Sequence, residues 1–429
     1  MRRQLKWASA LAAAGLFAGS AVAAGAPKGE ITVWSWNIAA EALDMLVPDF
    51  NKKYPDVKVK VVNMGHGDVR DKALAGCAAG GTDLPDVITA ENDEAEVYWA
   101  RFPDCFVNLK TLGVEKYKDA FPAFKWTQLT AGDAIYSLPW DSGPTVVFYR
   151  RDLYEKAGID PAKIETWGDF IEAGKKMLAA TNGETKMATI DLSGDDGWFR
   201  ALANEQGCSY FDNTGATVTI NQPGCVAALE TIKKMVDAGI LAVGDWGAQI
   251  QNVKTGAVAG AVFGGWYEGT IRSNAPELSG KWGIYEMPAA EKGGVRAASW
   301  GGSSLAITSA SKNKDAAWAY IEYALTTNEG QVSMLKNRGL VPSLLSAMQT
   351  DYAKAPVEYW GGQAIWADVL RTMDKIHPYR GTQFFAEVRS TIAVKAINDY
   401  LNGTFKTAKE ALDSAAAQIS TATGLPLAS

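Results

Sequence analysis

Histidine is almost missing from this chain: only His66 and His377 occur in 429 residues. A His-Glu-x-x-His zinc site is therefore impossible, and a Ser-His-Asp triad would have to use one of these two. Neither Gly-Lys pair is followed by Ser or Thr, so there is no Walker loop. No Gly-x-Gly-x-x-Gly follows a strand-like run, and no Gly-x-Ser-x-Gly elbow occurs. Positive charge is in deficit, with 42 Lys and Arg against 48 Asp and Glu. That balance disfavours nucleic acid and anionic lipid as partners. Beyond the first residues no apolar run approaches the length that spans a bilayer. We expect no catalytic centre, metal or cofactor, although two carboxylates suffice for a glycosidase and the inventory leaves that class open.

What is present begins at the N-terminus. Arg2, Arg3 and Lys6 form a basic region, Ala8 to Ala18 an apolar core, and Ala21-Val22-Ala23 a small-x-small cleavage site. This pattern predicts a secretory signal peptide over 1–24 and a mature protein in the periplasm. Leu74-Ala75-Gly76-Cys77 spells a lipobox, but it lies too far from the terminus to anchor lipid.

Four cysteines in an oxidising compartment pair in three possible ways. Cys208 and Cys225 flank a turn at Asn213-Thr214-Gly215 and a strand-like Ala216–Ile220, a hairpin that would bring its ends together. Cys77 is then left with Cys105. Four free buried thiols are the alternative.

From residue 30 short apolar strands alternate with amphipathic helices: strands at 30–35, 57–62 and 86–89, helices at 41–53 and 69–79. This is a βαβαβ unit and predicts a mostly parallel sheet with helices on both faces. A second such run starts at Thr145–Tyr149, followed by a helix that Thr166 and Asp169 open as a capping box. Strands are expected at 187–191, 256–263, 281–287 and 304–308, and helices almost throughout beyond Lys312, the last at 383–401 and 407–419. Pro/Gly-rich clusters at 138–144, 299–303 and 339–343 break the pattern three times, as three crossings between two lobes would.

Fifteen tryptophans are many, and their placement carries the functional reading. Trp36, Trp140, Trp266 and Trp300 lie at or just past strand ends, where open α/β sheets hold their ligands. An indole beside polar groups suits a sugar, whose apolar C–H face it covers while amides and carboxylates take the hydroxyls. Trp198 and Trp246, at helix starts beside acids, are further candidates. We assign Trp34, Trp167, Trp282, Trp318 and Trp366, inside elements, to the core. His66, after the second strand, is a ligand contact or a turn residue, and His377, before Pro378, a surface loop residue.

Several stretches resemble the extracellular solute-binding proteins of ABC sugar importers, the family that includes maltose-binding protein. They are Ile31–Ser35 with Phe50–Pro55, Leu84–Val87, Tyr136–Trp140 to Phe148–Leu153 with Lys156–Ile159, and Glu165–Phe170. The resemblance runs through essentially the whole mature chain. It implies an α/β, two-lobed periplasmic binding protein fold with a ligand cleft between the lobes. The lobes would be 25–141 plus 303–342 and 142–302 plus 343–429. It implies ligand contacts from Trp36 and Asn37, Asn92 and Asp93, Trp140 and Asp141, Trp266, Trp300 with Gly301 and Gly302, and Arg338. The loop Thr89–Glu94 departs from the family pattern, with Ala90 where an aromatic often stands and acids around it. The expected partners are a small carbohydrate ligand and the membrane subunits of an ABC permease, with the binding protein a monomer. The alternatives are a secreted glycoside hydrolase, and a binder of a cation such as a polyamine held by the Glu91–Glu96 acids and indoles.

Overall fold

The computed structural model describes residues 26–127 and 129–428. The expected signal peptide lies outside them. The alternating strands at 30–35, 57–62 and 86–89 become Gly29–Ser35, Val57–Asn63 and Val87–Glu91, paired in parallel. Ser303–Ile307 returns much later in sequence to pair antiparallel with Val87–Glu91, and Ser137–Pro139 closes the five-stranded sheet at its edge. Ile31, Val33, Leu43, Phe50, Leu305 and Tyr320 fill the core beneath it.

The helices of this lobe start earlier than hydrophobic periodicity suggests, at Asn37 and His66 instead of 41 and 69. In the second of these helices the first turn, His66-Gly67-Asp68, is polar, so the apolar stripe begins after the helix does, whereas the first helix already buries Ala39 and Ala40 in its opening turn. Asn37 itself has φ +44°, a left-handed conformation that asparagine tolerates better than most residues.

The second lobe is built on Thr145–Arg150, with Gly260–Gly264 and Trp282–Glu286 antiparallel on either side. The expectation of another parallel run is thereby corrected. The chain makes an excursion through several helices and the parallel pair Ala188–Ile190 with Leu241–Val243 before it returns from the opposite direction. The helix Trp167–Ala180 carries the expected reciprocal cap, Thr166 and Asp169 each satisfying the other's backbone N–H. Val147, Phe148, Trp167, Trp282, Trp360 and Trp366 belong to one large core. Trp34 and Trp318 are only half-buried, Trp318 packing against the rim of the first core.

Both expected disulfides are present, Cys77–Cys105 and Cys208–Cys225. The hairpin invoked for the second is there in short form: Thr219 N–H donates to the Tyr210 carbonyl at 2.9 Å and Asp212 N–H to the Thr217 carbonyl at 3.0 Å, either side of the antiparallel bridge Phe211–Val218. The Asp212 carboxylate organises the turn by accepting the N–H groups of Ala216 and Thr217. The helix expected over 383–401 is interrupted by a π-helical turn at Arg389–Ala393, a defect that widens the helix where Arg389 leaves it.

The three Pro/Gly-rich segments lie side by side. Thr145 N–H donates to the Ala298 carbonyl at 2.8 Å and Trp300 N–H to Gly143 at 2.7 Å. Ser142 N–H donates to Val341 at 2.9 Å and Ser343 N–H to Trp140 at 3.0 Å. Among the described residues no helix is long and apolar enough to cross a membrane.

Candidate functional site

A cavity of about 450 Å³ opens between the two cores, floored by the crossing segments. The first lobe contributes Trp36, Asn37, His66 and Glu91, the crossings Asp141 and Trp300–Ser303, and the second lobe Asp195, Arg200, Trp246, Gln249, Trp266 and Arg389.

The aromatic wall is one connected set. The Trp246 and Trp266 rings stand 6.2 Å apart at 36°, and Phe263 packs 4.7 Å from Trp300. Trp266 Nε1 donates to the Trp300 carbonyl at 2.8 Å, so this indole is tied to the crossing backbone. Trp36 faces His66 edge-on across 4.7 Å. Glycines let these groups close in: a Cβ on Gly197 would sit 1.8 Å from the Trp300 ring. Gly301 and Gly302 take φ values of +82° and +109°, which side chains rarely adopt.

The charges are almost all paired. His66 Nε2 lies 2.7 Å from Glu91. Burial opposes ionisation of Glu91, but the imidazolium and the nearby guanidinium groups of Arg200 and Arg389 outweigh it and lower its carboxyl to about 2. Burial also depresses the His66 imidazole, yet Glu91 and Glu94 overcome it and raise its pKa. Arg200 is gripped by Asp93 and, at 3.0 Å, by Asp196. Arg389 spans Asp196 at 2.7 Å, Asp195 at 2.8 Å and Glu94 at 3.5 Å. Asp141 is pushed up by burial, partly offset by Lys125, and its Oδ1 accepts the Ser303 N–H at 2.7 Å. His66, Glu91 and Glu94 are close enough to suggest a metal cluster. Arg70 and Arg389 already compensate Glu94, and their charge opposes a cation there.

Eight of the expected contacts come together here: Trp36, Asn37, Asp141, Trp246, Trp266, Trp300, Gly301 and Gly302. Five do not. Trp140 is 1% exposed in the first core, because a strand alternates faces and Trp140 falls on the same side as buried Leu138. Trp198 is buried in the second core against Trp167, with its Nε1 on the Thr189 carbonyl at 3.0 Å. On the helix Gly197–Glu205 it shares a face with Ala201 and Leu202, a spacing that marks a core stripe. Asn92 faces a separate cavity of about 680 Å³ beyond Gly301, beside Ser142 and Tyr379. Asp93 has both carboxylate oxygens taken, by Arg200 and by the Tyr379 hydroxyl. Arg338 pairs with Glu41 at 2.7 Å outside the cavity, and its near neighbour Leu340 lines it instead.

Sequence reading missed Arg200, Arg389, Gln249 and Asp195. Arg200 had a visible signal, as a cation on a helix whose other residues are nearly all apolar or buried. Arg389 had none, since it reaches the cleft from almost two hundred residues further along the chain.

The model of the family described as "Bacterial extracellular solute-binding protein" matches residues 34–331. A lactose-binding protein of Rhizobium radiobacter is 33% identical over 83% of this chain and 84% of its own. An arabinooligosaccharide-binding protein of Bacillus subtilis (strain 168) is 28% identical over 91% and 92%. Among solved structures, an ABC transporter associated binding protein from B. animalis subsp. lactis Bl-04, in complex with β-1,6-galactobiose, superposes with a TM-score of 0.81. It is 25% identical and covers 93% of this chain and 99% of its own.

Proposed function

The chain belongs to the bacterial extracellular solute-binding protein family, and on that premise we propose that it captures a mono- or disaccharide in the periplasm for an ABC permease. The observation that carries this reading is the cleft wall of Trp36, Trp246, Trp266 and Trp300 set among charges that are nearly all internally paired. Such a surface offers stacking area and hydroxyl partners and little free charge for an ionic ligand. The acids that would favour a polyamine are engaged: Asp93 by Arg200, Glu94 by Arg70, Glu96 by Arg380.

A volume of about 450 Å³ suits one or two pyranose rings, within the roughly 300–1,000 Å³ of small-molecule pockets. Asn37, Asp141 and Gln249 supply hydrogen-bonding groups, and Arg200 and Arg389 supply donors. The protein acts by binding and closure about the crossings, with lobes of 25–141 plus 303–342 and 142–302 plus 343–429, and leaves its ligand unchanged. Ligand bridging both lobes favours the closed form, which the permease then recognises by shape. It works as a monomer and needs no cofactor.

A thermal-shift screen over lactose, β-1,6-galactobiose, arabinobiose, spermidine and amino acids tests this. A disaccharide should raise the melting temperature by mass action and be recovered intact. A shift with spermidine alone, or turnover of the sugar, refutes the reading.

A further inference from the structure

Opposite charges face each other across the mouth of the cleft. The segment after strand Val87–Glu91 carries Asp93, Glu94 and Glu96 on the first lobe, and the second lobe answers with Arg200, Arg389 and Arg380. Arg380 reaches Glu96 at 3.0 and 3.1 Å, Arg389 reaches Glu94 at 3.5 Å, and Arg101 of the first lobe reaches Glu387 of the second at 3.1 Å.

Asp93 stands at the centre. It is 1% exposed, and one oxygen accepts from Arg200 while the other accepts from Tyr379, both in the second lobe. The backbones meet here too: a Cβ on Gly381 would lie 1.9 Å from the Asp93 carbonyl oxygen. A buried carboxylate needs such partners, because stripping water from an unpaired charge is expensive. If the lobes part, Asp93 exchanges these two partners for water. If they close, Arg200 is fixed between Asp93 and Asp196 and becomes part of the cleft wall.

We propose that Asp93, Arg200 and Tyr379, flanked by the Glu94–Arg389 and Glu96–Arg380 pairs, form an interlobe clasp that populates the closed form before ligand arrives. Asp93 and Tyr379 are positioning residues, acting on the cleft through Arg200. The inference rests on the reading of this chain as a protein that closes about its crossings. It assigns to Asp93 a role in closure instead of in holding hydroxyls.

Two physical consequences follow. Attraction between opposite charges at a partly hydrated mouth is screened by salt, so closure weakens as ionic strength rises. A ligand that binds only the closed form loses apparent affinity in proportion to the closed fraction. Binding of a neutral sugar therefore becomes salt-dependent, which stacking and hydroxyl contacts alone would not make it.

The test is small-angle X-ray scattering on the ligand-free mature protein, stripped of co-purifying solute by unfolding and refolding. It compares about 10 mM with about 1 M NaCl, over which the screening length falls from roughly 30 Å to 3 Å. The parent should be compact at low salt and expand at high salt, and Tyr379→Phe should be expanded already at low salt. Glu96→Arg should open the protein, and adding Arg380→Glu should close it again, a rescue that a merely structural role does not give. Lactose titrations should weaken about tenfold in Tyr379→Phe, the size of an ordinary coupling between sites. Identical scattering for parent and variants at both salts, or no rescue by the swapped pair, overturns the clasp. Because the scattering needs no sugar, failure of every sugar to bind would sink the ligand assignment and leave this result to be judged by itself.

Discussion

Trp266 and Trp300 are joined by a hydrogen bond from the indole Nε1 of the first to the backbone carbonyl of the second, 2.8 Å long. Trp266 begins the helix Tyr267–Asn274 of the second lobe, and Trp300 lies in a crossing segment. Gly264 makes the approach possible, since a Cβ there would stand 2.5 Å from that Nε1 and 2.6 Å from that carbonyl oxygen. The orientation of a stacking surface is thereby tied to the backbone about which the lobes close.

Trp266→Ala should remove the stacking surface and behave as a binding hot spot, about 2 kcal/mol or more, which is roughly a 30-fold loss of affinity. Trp266→Phe keeps a ring and loses only the hydrogen bond, so it should cost about 1 kcal/mol. Calorimetric titration with the sugar identified by thermal shift separates the two. Parent-like binding by Trp266→Ala would mean that the cleft wall is not the site.

Gly197→Ala should be harmful although alanine is the better helix former. The new methyl would meet the Trp300 ring at 1.8 Å, so the indole must leave its place beside Phe263. Overpacking of this kind costs about 1–3 kcal/mol. Urea melts should show that loss and titration a weaker affinity; a variant as stable as the parent would place the Trp300 ring elsewhere.

These two residues mark where sequence reading stops. Most strands of the two sheets were visible because apolar runs bounded by polar turns record burial directly, while the three-residue edge strand Ser137–Pro139 was hidden in a Pro/Gly-rich segment. Trp36 and Trp266 were visible because they follow such runs, and Trp300 stands just before one, Ser303–Ile307. Trp140 and Trp198 were misplaced although the same periodicities, two in a strand and 3.6 in a helix, put them on the faces of Leu138 and Leu202. Trp318 lies inside a helix but is half-buried, so its truncation should cost less than the roughly 3–5 kcal/mol of a fully buried tryptophan. Arg389, Gln249 and the partners of Asp93 were invisible for another reason. They meet the cleft through tertiary contacts between distant segments, and no local pattern encodes the pairing of Asp93 with Tyr379, 286 positions away.

Removing either disulfide by paired Cys→Ser substitution should destabilise the protein. The bridges close loops of 28 and 17 residues, for which the chain-entropy model gives about 3 kcal/mol each. Denaturant melts under oxidising conditions measure this, with the longer Cys77–Cys105 loop showing the slightly larger loss. Two pairs of serine variants as stable as the parent would show that the bridges do not constrain the unfolded chain.

The pH dependence of stability should carry the mark of His66 and Glu91. In the folded protein His66 is raised above 6.5 by Glu91 and Glu94 against the effects of burial and of Arg389. The folded state therefore binds the proton more tightly than the unfolded one, and the stabilisation is complete below pH 6.5 and lost as pH rises through the higher folded value. Glu91 is shifted the other way, from 4.5 to about 2, so its contribution is complete above 4.5 and lost as pH falls through about 2. The pair is fully effective only between these limits, where imidazolium and carboxylate are both charged across 2.7 Å. The His66 side chain is 31% exposed, so solvent screens part of the effect. Melting temperatures of the parent should fall from mildly acidic towards alkaline pH more steeply than those of His66→Gln, and Glu91→Gln should flatten the same limb by removing the partner that raises the imidazole. If all three profiles run parallel, His66 does not change its charge on folding, and the pairing with Glu91 has no part in holding the first lobe's side of the cleft.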